Sequence, residues 1–387
     1  MTFSSLVAAE SIELSPDSRR TLKSCTPLEA PYVIYQGKSL CNFAGNDYLN
    51  LANHPLMIER SIVYVKKYGA NNQSSRLVTG NNEAYDHLER KLAQLTGFES
   101  ALIFASGYQL NASVIPSLMS SADFAWIDKS IHRSMVEGVK LSKARFKRFA
   151  HINNQDLQAR LKDRDAMGGI SSFNQWIFAE SVYSVDGSRH DIVELLQLSK
   201  QYNCSLYIDD AHATGVAGVN GMGLAAGKSD ITLAMGCFSK GLGAYGAYLL
   251  CSKLTREYLI NRCPGLIYTT ALPPATLGAI DASLELVPQL DSARSHLVKL
   301  SLSLQSQLED LPFKFKRSES NIVSIVFETA ERALALSLHL QNNGFLAVAL
   351  RPPTTDKGTS AVRLSLSCAH SEQHIDQLSK VLRQFRP

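Results

Sequence analysis

No stretch of the 387 residues approaches the roughly 20 consecutive apolar residues of a membrane-spanning helix, so none is expected. Cysteine is sparse and scattered: Cys25, Cys41, Cys204, Cys237, Cys251, Cys263 and Cys368 are odd in number, and no two have CxxC spacing. That pattern fits a reducing compartment, speaks against a disulfide framework or a zinc site, and leaves no metal expected. Charge is low, 19% of residues with a net +4, which fits an ordinary soluble surface rather than a nucleic-acid binder and is compatible with an anionic substrate. There is no internal repeat and no low-complexity segment. The opening MTFSSLVAAES has neither a basic n-region nor a long apolar core, so no signal peptide is expected, and the cytoplasm is the expected location.

What is there is a chain 45% hydrophobic, long enough for a large core and for two domains. Residues 1–41 read as irregular, broken by Pro27 and Pro31, with Ser18-Arg19-Arg20 as a surface helix end. Asn42 to Asn50 holds three Asn, an Asp and a Gly, the makings of a shaped turn. Helices are expected over residues 56–69 and 83–95, the second capped by Gly97. Residues 101–105 read as a buried strand entering a helix through Ser106 and Gly107, a turn whose free N–H groups favour a phosphate. Strands are expected over 122–127 and 176–179, and a helix over 191–202. The basic stretch 137–147 reads as a solvated helix-to-strand connection. Strand–helix alternation up to residue 250 predicts an α/β, doubly wound, mainly parallel sheet. Beyond it come helices to 286 and over 292–308, then strands over 321–327, 346–350 and 362–367 with helices over 334–341 and 372–385. This is a smaller C-terminal α+β domain. The expected organisation is an N-terminal segment 1–45, a large domain 46–277 and a small domain 278–387.

The chemistry concentrates in residues 205–246. Two apolar runs, SLYI and ITLAM, have the length of buried strands. The first ends in Asp209, Asp210 and His212, the second in Lys240 among small residues. Open α/β sheets collect their chemistry at the carboxyl ends of strands. An acid, a histidine and a lysine delivered there suit pyridoxal phosphate, with the acid on the pyridine nitrogen and the lysine on the aldehyde. Two other readings compete. Gly241, Gly243 and Gly246 form a literal GxGxxG, but the residues after Gly246 are strand-like, and no acid ends a second strand some 20 residues on. Asp209, Asp210 and His212 as metal ligands have spacing poor for tetrahedral zinc and no cluster nearby. An unpartnered buried carboxylate is costly, so exposure is the expectation for Asp210.

Ten pieces stand in order along the chain: NDYLNLANHP, SSRLVTGN, EAYDHLERKLAQLTG, ASGYQLN, the Asp128 to His132 stretch, ESVYSVDG, DDAHATGV, FSKGLG, LIYTTALPPA, and RPPT with the trailing RLSLSCAH. In these the chain resembles the α-oxoamine synthases, fold-type I pyridoxal phosphate enzymes that join an acyl thioester to a small amino acid with loss of carbon dioxide. DDAHATG and RPPT with RLSLSCAH are most similar to the biotin-pathway branch. The resemblance implies a seven-stranded large domain, a homodimer with its active site at the subunit interface, and condensation of L-alanine with pimeloyl-CoA or a pimeloyl carrier protein to 8-amino-7-oxononanoate. It implies Lys240 as the Schiff-base lysine and later the base, Asp209 on the pyridine nitrogen, His132 stacked on the ring, and His212 and Ser184 on the phenolic oxygen. Ser106, Gly107 and Tyr108 would lie at the phosphate with Cys237 and Ser239, and Thr269 or Thr270 would reach it from the neighbouring subunit. Arg351 would clamp the substrate carboxylate, with Asn46 assisting and Arg20 near the acyl chain. Cys237 departs from a frequent phosphate-contacting threonine, and Gly45, Asn50, Asn72, Gln73 and Ser188 depart elsewhere. A sibling using another acyl donor or glycine, and a catalytically silent regulatory subunit, are the alternative functions.

Overall fold

A computed structural model describes residues 3–4, 19–166, 174–356 and 358–386. The expected helix end at Ser18–Arg20 falls partly outside these, at Ser18, while Arg19 and Arg20 are not helical. Most of the segment read for a signal peptide also lies outside the described residues. From Cys25 onward the irregular reading of residues 1–41 is corrected. Strands β1 (Cys25–Pro27), β2 (Tyr32–Tyr35) and β3 (Lys38–Asn42) form an antiparallel meander. Its hairpin turns on Gln36 and Gly37, both at positive φ (50° and 81°), the backbone that matches strand twist in a two-residue turn.

Helices α1 (Pro55–Tyr68) and α2 (Glu83–Thr96) come next. The second begins where Asn82 accepts from Ala84 N–H and ends at Gly97 in the left-handed region (φ 76°), as expected. The chain then alternates through β4 (Ser100–Phe104), α3 (Gly107–Leu118), β5 (Phe124–Asp128), α4 (Arg133–Leu141), β6 (Arg145–Phe149), α5 (Asn154–Ala166), β7 (Gln175–Glu180), α6 (Ile192–Gln201), β8 (Cys204–Asp209), β9 (Leu233–Cys237) and β10 (Ala247–Cys251). These strands make one seven-stranded sheet in the order β4-β10-β9-β8-β7-β5-β6. All pairings are parallel except those of β10, the return strand, with β4 and β9. The helix-to-strand connection expected over 137–147 runs from the last turn of α4 into the start of β6. Its RFKRF is an edge strand whose basic residues face water, which is how edges avoid pairing with another chain.

Helices α7 (Lys253–Arg262), α8 (Pro264–Ile267), α9 (Pro274–Leu286) and α10 (Asp291–Glu309) lead on to β11 (Lys314–Lys316) and β12 (Ile322–Phe327). Then come α11 (Ala330–Asn342), β13 (Phe345–Leu346), β14 (Val348–Leu350), β15 (Ser360–Ser365) and α12 (Glu372–Gln384). The single strand expected at 346–350 is two, because β13 pairs with β3 while β14 pairs with β15. The chain divides into two compact units. One comprises residues 46–184 and 189–295 and holds the seven-stranded sheet; the other comprises 1–45, 185–188 and 296–387. In the first, Leu102, Phe104, Ile127, Phe178 and Met235 from the strands meet Leu110 and Met135 from α3 and α4 in one buried core. In the second, β11-β12-β15-β14 is an antiparallel sheet with α11 against β14 and β15.

Candidate cofactor site

The site is built at the carboxyl ends of β5, β8 and β9. Asp209, the last residue of β8, is buried and keeps both oxygens engaged. Asn111 Nδ2 donates to Oδ2 at 3.1 Å and Ala211 N–H donates to Oδ1 at 3.1 Å. The Asn111 amide also donates to Ser134 Oγ at 2.9 Å and accepts from Tyr207 OH at 2.5 Å. Ser134 Oγ in turn lies 2.7 Å from His132 Nδ1. One network therefore ties the acid of β8 to the histidine that caps α4. Partial burial holds the His132 imidazole below its ordinary value, Lys240 adds to the lowering, and Asp209 pulls the other way. The lowering favours the uncharged ring, and His132 is exposed.

The turn that carries His132 is anchored by Asp128, the buried end of β5. Its carboxylate accepts from Ser130 N–H (2.8 Å) and Ile152 N–H (2.8 Å) and lies 3.0 Å from His151 Nδ1. Burial alone would raise this carboxyl, but His151 and those N–H groups bring it below its ordinary value. A group depressed on folding stabilises above its unfolded pKa and loses that contribution as pH falls through its folded value. Asp128→Asn should cost about 2–3 kcal/mol at neutral pH by loss of charge-assisted bonds. The gap to wild type should close as pH falls below 3.8, as chemical denaturation at several pH values would report.

His212 is buried, with Nδ1 2.8 Å from Tyr48 OH, which donates to Asn46 Oδ1 at 3.3 Å. Asn46 and His212 are brought together through Tyr48. The turn holding Asn46 and Tyr48 is shaped by Asp47, whose carboxylate accepts from Leu51 N–H and Ala52 N–H. The chain after Lys240 packs directly on this turn. Gly243 has φ +63°, and a Cβ there would lie 2.6 Å from Leu51 Cβ. The GxGxxG glycines thus admit the protein's own backbone, and Gly246 leads into β10 rather than a helix, against the dinucleotide pattern. Lys240 itself is half-buried and close enough to influence His132, Glu180 and Cys237.

The exposure expected for Asp210 is corrected: it is buried. Ser181 Oγ donates to it, as do Leu224 N–H (3.0 Å) and Ala225 N–H (2.9 Å). Burial still pushes its carboxyl up despite these donors. Asp210 closes the loop behind β8 rather than facing the site. Among the described residues, no three His, Cys, Asp or Glu side chains converge as a metal set.

At the end of β4, Ser106 caps α3 by accepting from Gln109 N–H at 3.2 Å. Gly107 opens the helix, and Tyr108 is exposed. Gly107 N–H and Ser239 both reach the Cys237 sulfur, and burial pushes that thiol up, so it stays neutral. A Cβ on Gly107 would lie 2.8 Å from Cys237 Sγ, so glycine is what lets the helix start approach β9. Ser184 is half-buried next to Tyr183, whose hydroxyl lies 3.2 Å from His190 Nδ1. Thr269 and Thr270 sit apart, lining a surface hollow of about 500 Å³ with Ser74, Ser75, Val78 and Tyr268. In the other unit, Arg351 follows β14 and donates to the Arg19 carbonyl at 2.8 Å, while Arg20 reaches Thr354 Oγ1 at 3.5 Å. The donor set of the first unit fits pyridoxal phosphate: an amine, a carboxylate held by an amide, an exposed imidazole, and a helix N-terminus. Sequence reasoning gave no role to Asn111, Ser134, Tyr207, Tyr48 or Glu180. Polar residues at strand ends, and on faces of α3 and α4 otherwise apolar, were the available signal.

The family model described as aminotransferase class I and II matches residues 38–382. An 8-amino-7-oxononanoate synthase of Gluconacetobacter diazotrophicus is 40% identical over 376 residues, 95% of this chain and 94% of that protein. The chain belongs to that family, among its α-oxoamine synthases. A Bordetella bronchiseptica relative, which carries the same synthase name provisionally, is 44% identical over 370 residues, 94% of this chain and 92% of its own. Among solved structures, a serine palmitoyltransferase of Sphingomonas wittichii aligns with a TM-score of 0.90 at 26% identity, covering 98% of this chain and 96% of its own. The fold is fold type I, and the enzyme is a pyridoxal-phosphate-dependent acyltransferase. Among the described residues, no helix is long and apolar enough to cross a membrane.

Proposed function

We propose that this enzyme condenses L-alanine with a pimeloyl thioester, on coenzyme A or a carrier protein, to 8-amino-7-oxononanoate, carbon dioxide and the free thiol. The observation that carries this reading is the end-to-end likeness to the Gluconacetobacter synthase, 40% over 376 residues. Bound at Lys240, pyridoxal phosphate supplies an electron sink for the carbanion at the amino-acid α-carbon. Asp209 would hold the proton on the ring nitrogen, His132 would lie against the ring, and His212 and Ser184 would bond its phenolic oxygen. Ser106, Gly107 and Tyr108 at the α3 N-terminus would hold the phosphate with Cys237 and Ser239, since a helix start offers free N–H groups to an anion. Lys240 Nζ takes the α-proton and returns one after the carboxyl group leaves. Arg351 clamps the substrate carboxylate through its planar fork, with Asn46 assisting and Arg20 near the acyl chain.

The proposal includes a cytoplasmic homodimer in which Thr269 or Thr270 of one copy reaches the phosphate of the other. Exposed Leu77, Val78 and Tyr268 beside those threonines supply apolar surface for such a contact. The likeness to a serine palmitoyltransferase keeps a longer acyl chain as the second reading. A matrix of alanine, glycine and serine against pimeloyl and palmitoyl thioesters, read by thiol release, separates the two. Alanine with the pimeloyl donor should turn over at least about tenfold faster than any other pair, roughly the discrimination of a small pocket difference. A faster reaction with glycine, or with the palmitoyl donor, sinks the pimeloyl assignment.

A further inference from the structure

Glu180, the last residue of β7, takes no part in the chemistry proposed for the site. It is buried, and it stands beside Asp209 in the parallel register of β7 and β8. In-register residues on adjacent parallel strands point to the same face. Two carboxyl groups are therefore placed next to each other at one sheet end. Asp209 has two hydrogen-bond donors, Asn111 Nδ2 and Ala211 N–H. Glu180 has the main-chain N–H of His132 on its carboxyl, and its Oε1 is buried with no partner. No lysine or arginine pairs with it among the described residues' ion pairs. The charged and titratable groups that act on it are Asp209 from β8, Lys240 after β9, Asp128 from β5 and Tyr183 on the following turn. Lys240 is the only cation among these. Burial first, and Asp209 next, hold its carboxyl well above its ordinary value. The geometry gives the reason independently. A buried anion with one naked oxygen, beside a second anion, is costly, whereas the protonated acid is not.

We propose that Glu180 is an uncharged positioning residue of this site, fixing the main chain of His132 next to Asp209, the acid that serves the cofactor ring. The two strand-end acids are set differently: each oxygen of Asp209 has a donor, whereas Oε1 of Glu180 has none. The role is exerted through His132, so it is one of position, and it rests on Lys240 as the lysine that binds the cofactor.

The test compares Glu180→Gln and Glu180→Ala with wild type. Two quantities are read: affinity of the apoprotein for pyridoxal phosphate, and the pH midpoint of the visible band of the loaded protein. Glutamine keeps the shape, the acceptor for His132 N–H and the absence of charge. It should hold affinity within about threefold and leave the midpoint where it is. Alanine should weaken binding about tenfold, the scale of one lost hydrogen bond to a buried group, and alter the band as His132 loses its anchor. If glutamine moves the midpoint down by a unit or more, wild-type Glu180 carries a negative charge and the proposal is overturned. It is equally overturned if alanine matches wild type in both readouts. If alanine does not fold, the glutamine midpoint still decides. A wild type that takes up no cofactor at Lys240 overturns both this role and the assignment of that lysine.

Discussion

Lys240→Ala is expected to lower turnover by about 10⁴-fold or more, because in the proposed function one amine would both anchor the cofactor and move the α-proton. The expectation rests on where Lys240 lies. It comes after β9, half-buried, in a stretch bounded by Cys237 and by glycines that pack on neighbouring backbone. A surface lysine would have no reason to be set in such a turn. Borohydride should fix the cofactor to wild type and not to the variant, and peptide mapping should place the label on Lys240. Its removal takes away a cation that acts on His132 and Glu180, so the His132 midpoint should rise in the variant, since Lys240 lowers it. A nitrogen-15 NMR titration would follow that change. A variant that takes up pyridoxal phosphate as wild type does, from a wild type that is itself colourless, ends the assignment of Lys240 to the cofactor. A rate within tenfold of wild type removes its part as the base.

The strands that carry the site were readable because each is a short apolar run with a polar change at its carboxyl end. SLYI before Asp209 and FAWI before Asp128 are of this kind, and the structure extends both by the acid itself. The strand meander at residues 25–42 was not readable in the same way. Its strands are short and mostly exposed, so they carry little periodicity, and only the Gln36–Gly37 turn marks them. RFKRF was not delimited as a strand for a related reason. An edge strand carries charge where a central strand carries valine or leucine, and a basic run reads as solvated chain. Asp210 was misplaced because its partners are distant in sequence: Ser181 on the preceding strand's turn, and the N–H groups of Leu224 and Ala225 across a loop. The same holds for Asn111. It is one polar residue on a helix, and nothing local says that it joins Tyr207, Asp209 and Ser134. Residue types at strand ends survive in the sequence as motifs. The hydrogen bonds that orient them are tertiary and do not.

Asp209→Asn is expected to cut turnover about a thousandfold, the scale of removing a preorganised charge from a developing one. Two effects combine. In the proposed function the ring nitrogen would lose the acid that keeps it protonated, which would weaken the electron sink when the α-proton leaves. The asparagine amide also meets the wrong partners. Asn111 Nδ2 and Ala211 N–H donate to two separate oxygens of Asp209, and in the variant one of these positions becomes an NH₂ group. Two donors then face each other unless Asn111 turns, and turning it disturbs its bonds to Tyr207 OH and Ser134 Oγ, and through Ser134 the ring of His132. The loss should appear in exchange of the alanine α-proton with deuterated solvent as strongly as in turnover, since both need the same carbanion. His132 should titrate lower than in wild type, because Asp209 is the group that raises it. Thermal unfolding should show the fold retained, with about 1–2 kcal/mol lost from the Asn111 network. A variant that exchanges the α-proton within tenfold of wild type would show that Asp209 is not the ring's partner, and the acid would then have to be sought among the other carboxyl groups at this end of the sheet.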